Sequence, residues 1–236
     1  MLRVYIIRHG ETDWNAQGRM QGWTDTPLNA RGVEQANRIA GRMQEEMGIS
    51  AIYASPLQRA WQTAETIGKA IGVAPVIEPR LKERGLGIIE GLTFAQVKER
   101  YPELFEQWHS ERMAFPEEEP RTVFHERVRD LIHDIQQRHA EGRIGLVTHG
   151  GALGMFMAIV LQLDLERNFP FRFDNACLNV VEFGGRAPRV VALNDTCHLR
   201  HAEQHSSAEQ EFVLDARVAA GGQRLHSVDS TPREAG

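Results

Sequence analysis

Val4-Tyr5-Ile6-Ile7-Arg8-His9-Gly10-Glu11-Thr12 starts as an unbroken apolar run and ends in an Arg, a His and a Gly side by side. An apolar run of this length, closed by glycine, reads as a strand buried on both faces, the kind a parallel sheet makes. In open α/β sheets ligands bind beyond the carboxyl ends of the strands, which is where Arg8 and His9 fall. A guanidinium suits a planar or tetrahedral oxyanion, and a neutral imidazole is a nucleophile. Far downstream the pattern returns: Ile144-Gly145-Leu146-Val147-Thr148 runs into His149-Gly150-Gly151. One His after a strand is usually a hydrogen-bonded loop residue. Two strands that both end in His-Gly bring two imidazoles to one rim of one sheet.

Outward from this strand, Trp14 to Pro27 is a polar loop suited to wrapping a ligand, with Gln21 and Gly22 as candidate contacts. Asn29 caps a predicted helix with Val33, Ala36, Ala40, Met43 and Met47 on its core face, ended by Gly48. A strand over Ala51–Ala54 leads to Ser55 as N-cap and Pro56 as first residue of a second helix. Arg59 in its first turn strengthens the anion preference of a helix N-terminus. Val76-Ile77 is a short strand. Glu83 follows in a Gly-rich loop, a place for a proton donor although most loop glutamates are merely solvated. Thr93 and Gln96 form a capping box.

The stretch from Arg112 to Arg121 reads as a mobile flap over the sheet rim, its run Pro116-Glu117-Glu118-Glu119-Pro120 solvated, and the flap around Met113 and Phe115 is expected to decide the substrate. A long helix opens at Thr122 with Val128, Leu131, Ile132 and Ile135 inward. Ala152 to Leu163 is apolar nearly all round and reads as a deeply buried helix. Leu178–Phe183 and Arg189–Leu193 flank Gly184-Gly185 as a hairpin. The folded domain is expected to span residues 1–201, with a partial lid at about 90–121, and residues 202–236 to form a mostly disordered tail.

Composition narrows the function. The chain has 236 residues, 42% hydrophobic and 25% charged, enough for one large α/β domain. A net charge of −5 argues against a nucleic-acid binder, and no apolar run reaches the ~20 residues of a membrane span. Cys177 and Cys197 have neither metal nor redox spacing, which suits free thiols in the cytoplasm, and no signal peptide is read at the N-terminus. His198, His201 and His205 have helical spacing, but little beyond Cys197 supports them, and no metal is expected.

Three segments carry a resemblance. The octapeptide Arg8-His9-Gly10-Glu11-Thr12-Asp13-Trp14-Asn15, the string Ser55-Pro56-Leu57-Gln58-Arg59-Ala60-Trp61-Gln62-Thr63-Ala64, and Leu81-Lys82-Glu83 shortly before Glu90-Gly91-Leu92-Thr93 are similar to the signatures of the histidine phosphatase superfamily, also called the phosphoglycerate mutase-like family. Ile88-Ile89 departs from the pattern, since an aromatic commonly precedes that Glu-Gly. The resemblance spans residues 1–199. It implies a three-layer α/β/α sandwich around a mainly parallel sheet. It implies His9 as the nucleophile that forms a phosphohistidine, and Glu83 as acid and then base. Arg8, Arg59 and the catalytic His149 would hold the phosphoryl oxygens, with Asn15 and the Gly150 backbone as supplements. No cofactor is implied, because the arginines and second histidine supply the positive charge.

Within the family, mutases carry a Thr-Gly-Trp and an Asn-Glu-Arg-His-Tyr-Gly where this chain has Gln21-Gly22-Trp23 and Lys82-Glu83-Arg84-Gly85-Leu86-Gly87. That favours a phosphatase acting on a small phosphorylated metabolite over phosphoglycerate mutase-type transfer. A non-catalytic phospholigand binder would not need Glu83. Phosphoserine, 3-phosphoglycerate, sugar phosphates and α-ribazole phosphate all stay open as substrates, and a homodimer is compatible with the sequence. Because the tail has little apolar surface to bury, a chain ending near His201 is expected to match the full chain in melting temperature and activity. A large loss of either would show that the tail docks.

Overall fold

The computed structural model describes residues 1–110, 114–163 and 171–200. In it β1 (Leu2–Arg8) lies inside a six-stranded sheet, parallel to β4 (Gly142–Thr148) on one side and antiparallel to β5 (Leu178–Phe183) on the other. With β2 (Ile49–Ala54), β3 (Pro75–Ile77) and β6 (Arg189–Asp195), the order is β3-β2-β4-β1-β5-β6. Four strands are parallel and the hairpin β5–β6 completes the sheet antiparallel, so the mainly parallel expectation holds.

Side chains along β1 alternate between two cores, as a two-residue period requires. Leu2, Val4 and Ile6 join the cluster under α6 (Arg121–Arg138) and α7 (Gly150–Val160). Tyr5 and Ile7 join the cluster under α2 (Ala30–Glu45) and α3 (Gln58–Ile71). The sheet is thus covered on both faces, which gives the three layers. Register matters more than composition for the site. Ile7 lies opposite Val147 and Arg8 opposite Thr148, so His9 and His149 leave adjacent strands at the same level.

A third, smaller core forms beside the rim. α4 (Phe94–Arg100) and α5 (Pro102–Ser110) gather Ile89, Val97 and Phe115 around Phe105 and Trp108. Met20, from the polar loop that follows α1 (Asp13–Ala16), packs against it. Thr93 and Gln96 make the expected capping box. No helix among the described residues is long and apolar enough to cross a membrane.

The core face of α2 differs from the sequence reading. Ala36, Ala40 and Met43 are buried, but Val33 is 50% and Met47 78% exposed, and Ile39 is fully buried instead. Met47 lies beyond the end of the helix. Beside Val33 the inward contact is made by Gly32, whose backbone meets Glu11 so closely that a Cβ would fall 2.0 Å from the Glu11 carbonyl oxygen. Ile39→Ala should therefore cost about 2–5 kcal/mol, and Val33→Ala less than ~0.5 kcal/mol, by urea denaturation. Equal costs would contradict this register of the helix.

Candidate active site

His9 is buried beyond the end of β1, its backbone N–H donating to the Thr148 carbonyl at 2.9 Å. Its carbonyl accepts from Ala176 N and from Asn175 Nδ2, each at 3.1 Å. The ring's Nδ1 lies 2.6 Å from the Gly10 carbonyl. A carbonyl can only accept, so Nδ1 carries the proton and Nε2 presents its lone pair. Burial first, then the charges of Arg59 and Arg8, hold the pKa of His9 well below the usual imidazole range. The result is a neutral nucleophile with a fixed tautomer. Gly10 itself donates to Thr63 Oγ1 at 3.1 Å. A Cβ on Gly10 would land 2.4 Å from the Gly32 carbonyl oxygen, so α2 can approach only a glycine here.

Two guanidinium groups meet the histidines. Arg59, on the first turn of α3, is only 1% exposed. It donates to the Thr24 carbonyl (2.9 Å), the Gly22 carbonyl (2.8 Å) and His149 Nδ1 (3.2 Å). Burial lowers its pKa to about 10, which leaves it charged at neutral pH. Arg8 donates through Nη1 to the Phe173 carbonyl, while its Nε is buried with no partner. An unpaired charged donor inside a protein is costly, and an oxyanion is the ligand that satisfies it. Gly150, the first residue of α7, leaves the room: a Cβ there would sit 3.5 Å from Arg8 Nε.

His149 is fully buried, its ring centroid 5.1 Å from that of His9. Since Nδ1 accepts from Arg59, Nε2–H donates to Ser55 Oγ at 2.8 Å. Burial, followed by Arg59 and His9, pushes its pKa well below the usual range, so the ring is neutral here. The sequence reading counted His149 among the cations; desolvation beside two guanidiniums prevents that. Ser55 is corrected too. α3 begins at Gln58 with Leu57 as its N-cap, and Ser55 serves His149 instead of the helix. Ala54 pairs with Val147, so Ser55 leaves β2 level with Thr148, one residue before His149. Strand-end logic applied to β2 would have found it.

Glu83 reaches the rim from its loop. Oε2 accepts from Gly151 N and Oε1 from Arg84 N, both at 2.9 Å. A Cβ on Gly151 would fall 2.4 Å from Glu83 Oε1, so the second glycine after His149 is what admits the carboxylate. Asn15 accepts through Oδ1 from Thr12 N (3.1 Å) and Asn175 Nδ2 (3.3 Å), which leaves its amide N–H groups for a ligand. Gln21 and Gly22 shape the loop: Gln21 Oε1 accepts from Thr26 Oγ1, and the Gly22 carbonyl is turned to Arg59. Glu90 holds the same loop by accepting from Trp23 N (2.8 Å), Thr24 N (2.9 Å) and Leu86 N (2.9 Å). Sequence reasoning did not assign Asn175, Thr63 or the anchoring role of Glu90, because none lies in a pattern that spacing alone interprets.

The acidic run of the flap is not solvated as a whole. Glu117 is exposed, but Glu118 and Glu119 are buried. Glu118 pairs with Arg84 at 3.1 Å and accepts from Phe115 N at 2.8 Å, and burial raises its pKa. Glu119 pairs with Arg127 at 2.7 Å. Phe115 is buried in the third core, and Met113 lies outside the described residues. Among the described residues no group of three potential ligands could hold a metal; His201 and His205 fall outside them.

The two neutral histidines make stability depend on pH. Their folded pKa lies below the unfolded value of ~6.5, so the stabilisation is complete above that pH and is lost as pH falls through and below it. Each such ring contributes up to about 1.4 kcal/mol per pH unit in that window. His9→Gln should flatten the fall of unfolding free energy between pH 6.5 and 5 by about that slope. An unchanged slope would mean that His9 is protonated in the folded protein.

The profile of the histidine phosphatase superfamily (branch 1) matches residues 4–196. Phosphoserine phosphatase 1 of Hydrogenobacter thermophilus is 32% identical over 201 residues, 84% of this chain and 95% of that protein. A probable phosphoglycerate mutase GpmB of Yersinia pestis is 35% identical over 189 residues, 78% of this chain and 86% of that one. Among solved structures, a mycobacterial glucosyl-3-phosphoglycerate phosphatase complexed with VO3 superposes with a TM-score of 0.74 at 29% identity, covering 81% of this chain and 98% of that one. With two strand-end histidines, the buried Arg59, Arg8 and a carboxylate on one rim, this chain belongs to the histidine phosphatase superfamily.

Proposed function

We propose that this protein hydrolyses a small phosphorylated metabolite through a phosphohistidine on His9, without a metal ion. The observation that carries the reading is the state of His9: Nδ1 is tied to the Gly10 carbonyl, and the ring is held neutral by burial and two guanidiniums. In the first step Nε2 attacks phosphorus, a P–N bond forms, the P–O bond to the leaving group breaks, and Glu83 gives its proton to the leaving oxygen. In the second step the Glu83 carboxylate takes a proton from water. The water oxygen then displaces His9 from phosphorus, releasing inorganic phosphate. Arg8 and Arg59 face the equatorial oxygens, helped by the Asn15 amide and the N-terminal N–H groups of α7, Gly150 included. His149, whose two ring nitrogens are taken by Arg59 and Ser55, acts through Arg59, holding its guanidinium in place. Two permanent charges supply what a divalent cation supplies in other phosphoryl-transfer sites.

Hydrolysis is favoured over mutase chemistry by the segments around Trp23 and Glu83 and by the phosphatases among the relatives. Those relatives act, by name, on phosphoserine and on glucosyl-3-phosphoglycerate, so small phosphomonoesters are the substrate class supported. Free Cys177 and Cys197 suit the reducing cytoplasm.

His9→Ala is expected to abolish turnover, and an alkaline quench of the wild type with labelled substrate to trap an acid-labile phosphate that the variant lacks. Residual activity beyond a trace would remove His9 as nucleophile. Activity should also survive exhaustive chelation with EDTA; a strict Mg²⁺ or Zn²⁺ requirement would contradict the mechanism. A panel of phosphomonoesters that includes phosphoserine and 3-phosphoglycerate ranks the substrates.

A further inference from the structure

Residues 80–83 carry Glu83 to the rim but belong to no strand, so their carbonyls have no ladder to join. Side chains take all four. The Leu81 carbonyl accepts from Thr148 Oγ1 at 2.7 Å, one residue before His149. The carbonyls of Arg80 (2.9 Å), Lys82 (2.8 Å) and Glu83 (2.8 Å) all accept from one guanidinium, that of Arg127 on α6. The Glu83 carbonyl also accepts from Trp23 Nε1 at 2.7 Å. Arg127 then spends its remaining donors on Glu119, Nε to Oε1 at 2.7 Å and Nη2 to Oε2 at 2.8 Å. A guanidinium has five N–H groups, and all five are engaged.

We propose that Arg127, aimed by Glu119, is the positioning residue that holds Glu83 in place for proton transfer. The inference rests on the reading of Glu83 as proton donor. Its ground is that Glu83 is gripped at both ends: its carbonyl by Arg127 and Trp23, its carboxylate by Gly151 N at the start of α7. The carboxylate stays at the start of α7, within the electrostatic reach of Arg59, only while the backbone behind it stays put. Proton transfer tolerates little misplacement; a shift of about 1 Å can cost on the order of a hundredfold. A lysine could not replace this clamp, because a point charge with three donors cannot be bidentate to Glu119 and still reach three carbonyls. Glu119 fixes the plane of the fork. Both side chains are nearly closed to solvent, 16% exposed for Arg127 and 5% for Glu119, so water cannot substitute for either partner.

A role in positioning an acid differs measurably from a role in folding. kcat/KM reports steps up to phosphoryl transfer, so it senses protonation of the leaving oxygen. Arg127→Lys and Glu119→Gln are assayed with an alkyl phosphate, whose leaving oxygen needs a proton, and with p-nitrophenyl phosphate, whose leaving oxygen does not. Glu83→Gln is the reference, and melting temperatures show which variants fold. The expected result is a fall of about tenfold or more in kcat/KM for the alkyl phosphate and less than about threefold for p-nitrophenyl phosphate. On the Glu83→Gln background the same changes should add almost nothing. Glu119→Gln keeps the side-chain shape and carries the test alone if Arg127→Lys does not fold. If Glu83→Gln itself depresses both substrates alike, the proton-donor reading falls, and this inference with it. If Glu83→Gln is selective while the clamp variants fall equally on both substrates, or multiply with Glu83→Gln, the inference alone is overturned.

Discussion

A guanidinium buried at Arg59 cannot shed its charge, and the site is arranged around that fact. With a pKa of about 10 it stays protonated at neutral pH although almost no part of it meets solvent. An uncompensated buried charge is expensive. Here the direct hydrogen-bond partners are neutral, two carbonyls from the polar loop and the Nδ1 lone pair of His149, while the charges of Glu83 and Asp25 act from further off. Those hydrogen bonds fix the loop at Gly22 and Thr24 and the tautomer of His149. No carboxylate pairs directly with the guanidinium in these contacts, so its charge is available to an anionic ligand. The same field, added to burial, keeps His9 neutral and therefore nucleophilic.

Close approach is the second constraint, and glycine meets it at the points where backbone or carboxylate comes nearest. Gly10 and Gly32 let the start of α2 lie against the His9 turn, and Gly151 lets Glu83 reach the start of α7. A methyl group at any of these would collide with backbone or with the Glu83 carboxylate itself. The His-Gly and His-Gly-Gly strings are thus packing statements as much as chemical ones. The histidine provides the reactive nitrogen, and the glycines admit the elements that surround it.

The acid loop is held from three directions: by Thr148 from the sheet, by Trp23 from the polar loop and by Arg127 from α6. Glu90 and Glu119 are the carboxylates behind two of these contacts, one anchoring the Trp23 backbone, the other the Arg127 fork. The segment from Phe115 to Glu119 is bonded to residues 84–88 along its length, so the third core and the acid loop form one packed unit.

Much of this was legible from local chemistry. The run before Arg8 reads as a buried strand because it is short, β-branched and aromatic, and soon followed by glycine, and its repeat before His149 placed both imidazoles on one rim. The capping box at Thr93 and the hairpin around Gly184 follow from neighbouring residues alone. Other features depended on which chain segments meet. Ser55 resembled an N-cap until the strand register set it beside His149, and Glu118 and Glu119 resembled a solvated run until Arg84 and Arg127 arrived from elsewhere. Val33 fitted the helical period, yet Gly32 took the contact. The sequence by itself determined the strands, their chemical ends and the family resemblance, since these rest on periods and strings within a few residues. Only the tertiary structure decided the charge state of His149, the burial that keeps His9 neutral and the clamp on Glu83, because these are set by residues tens of positions away.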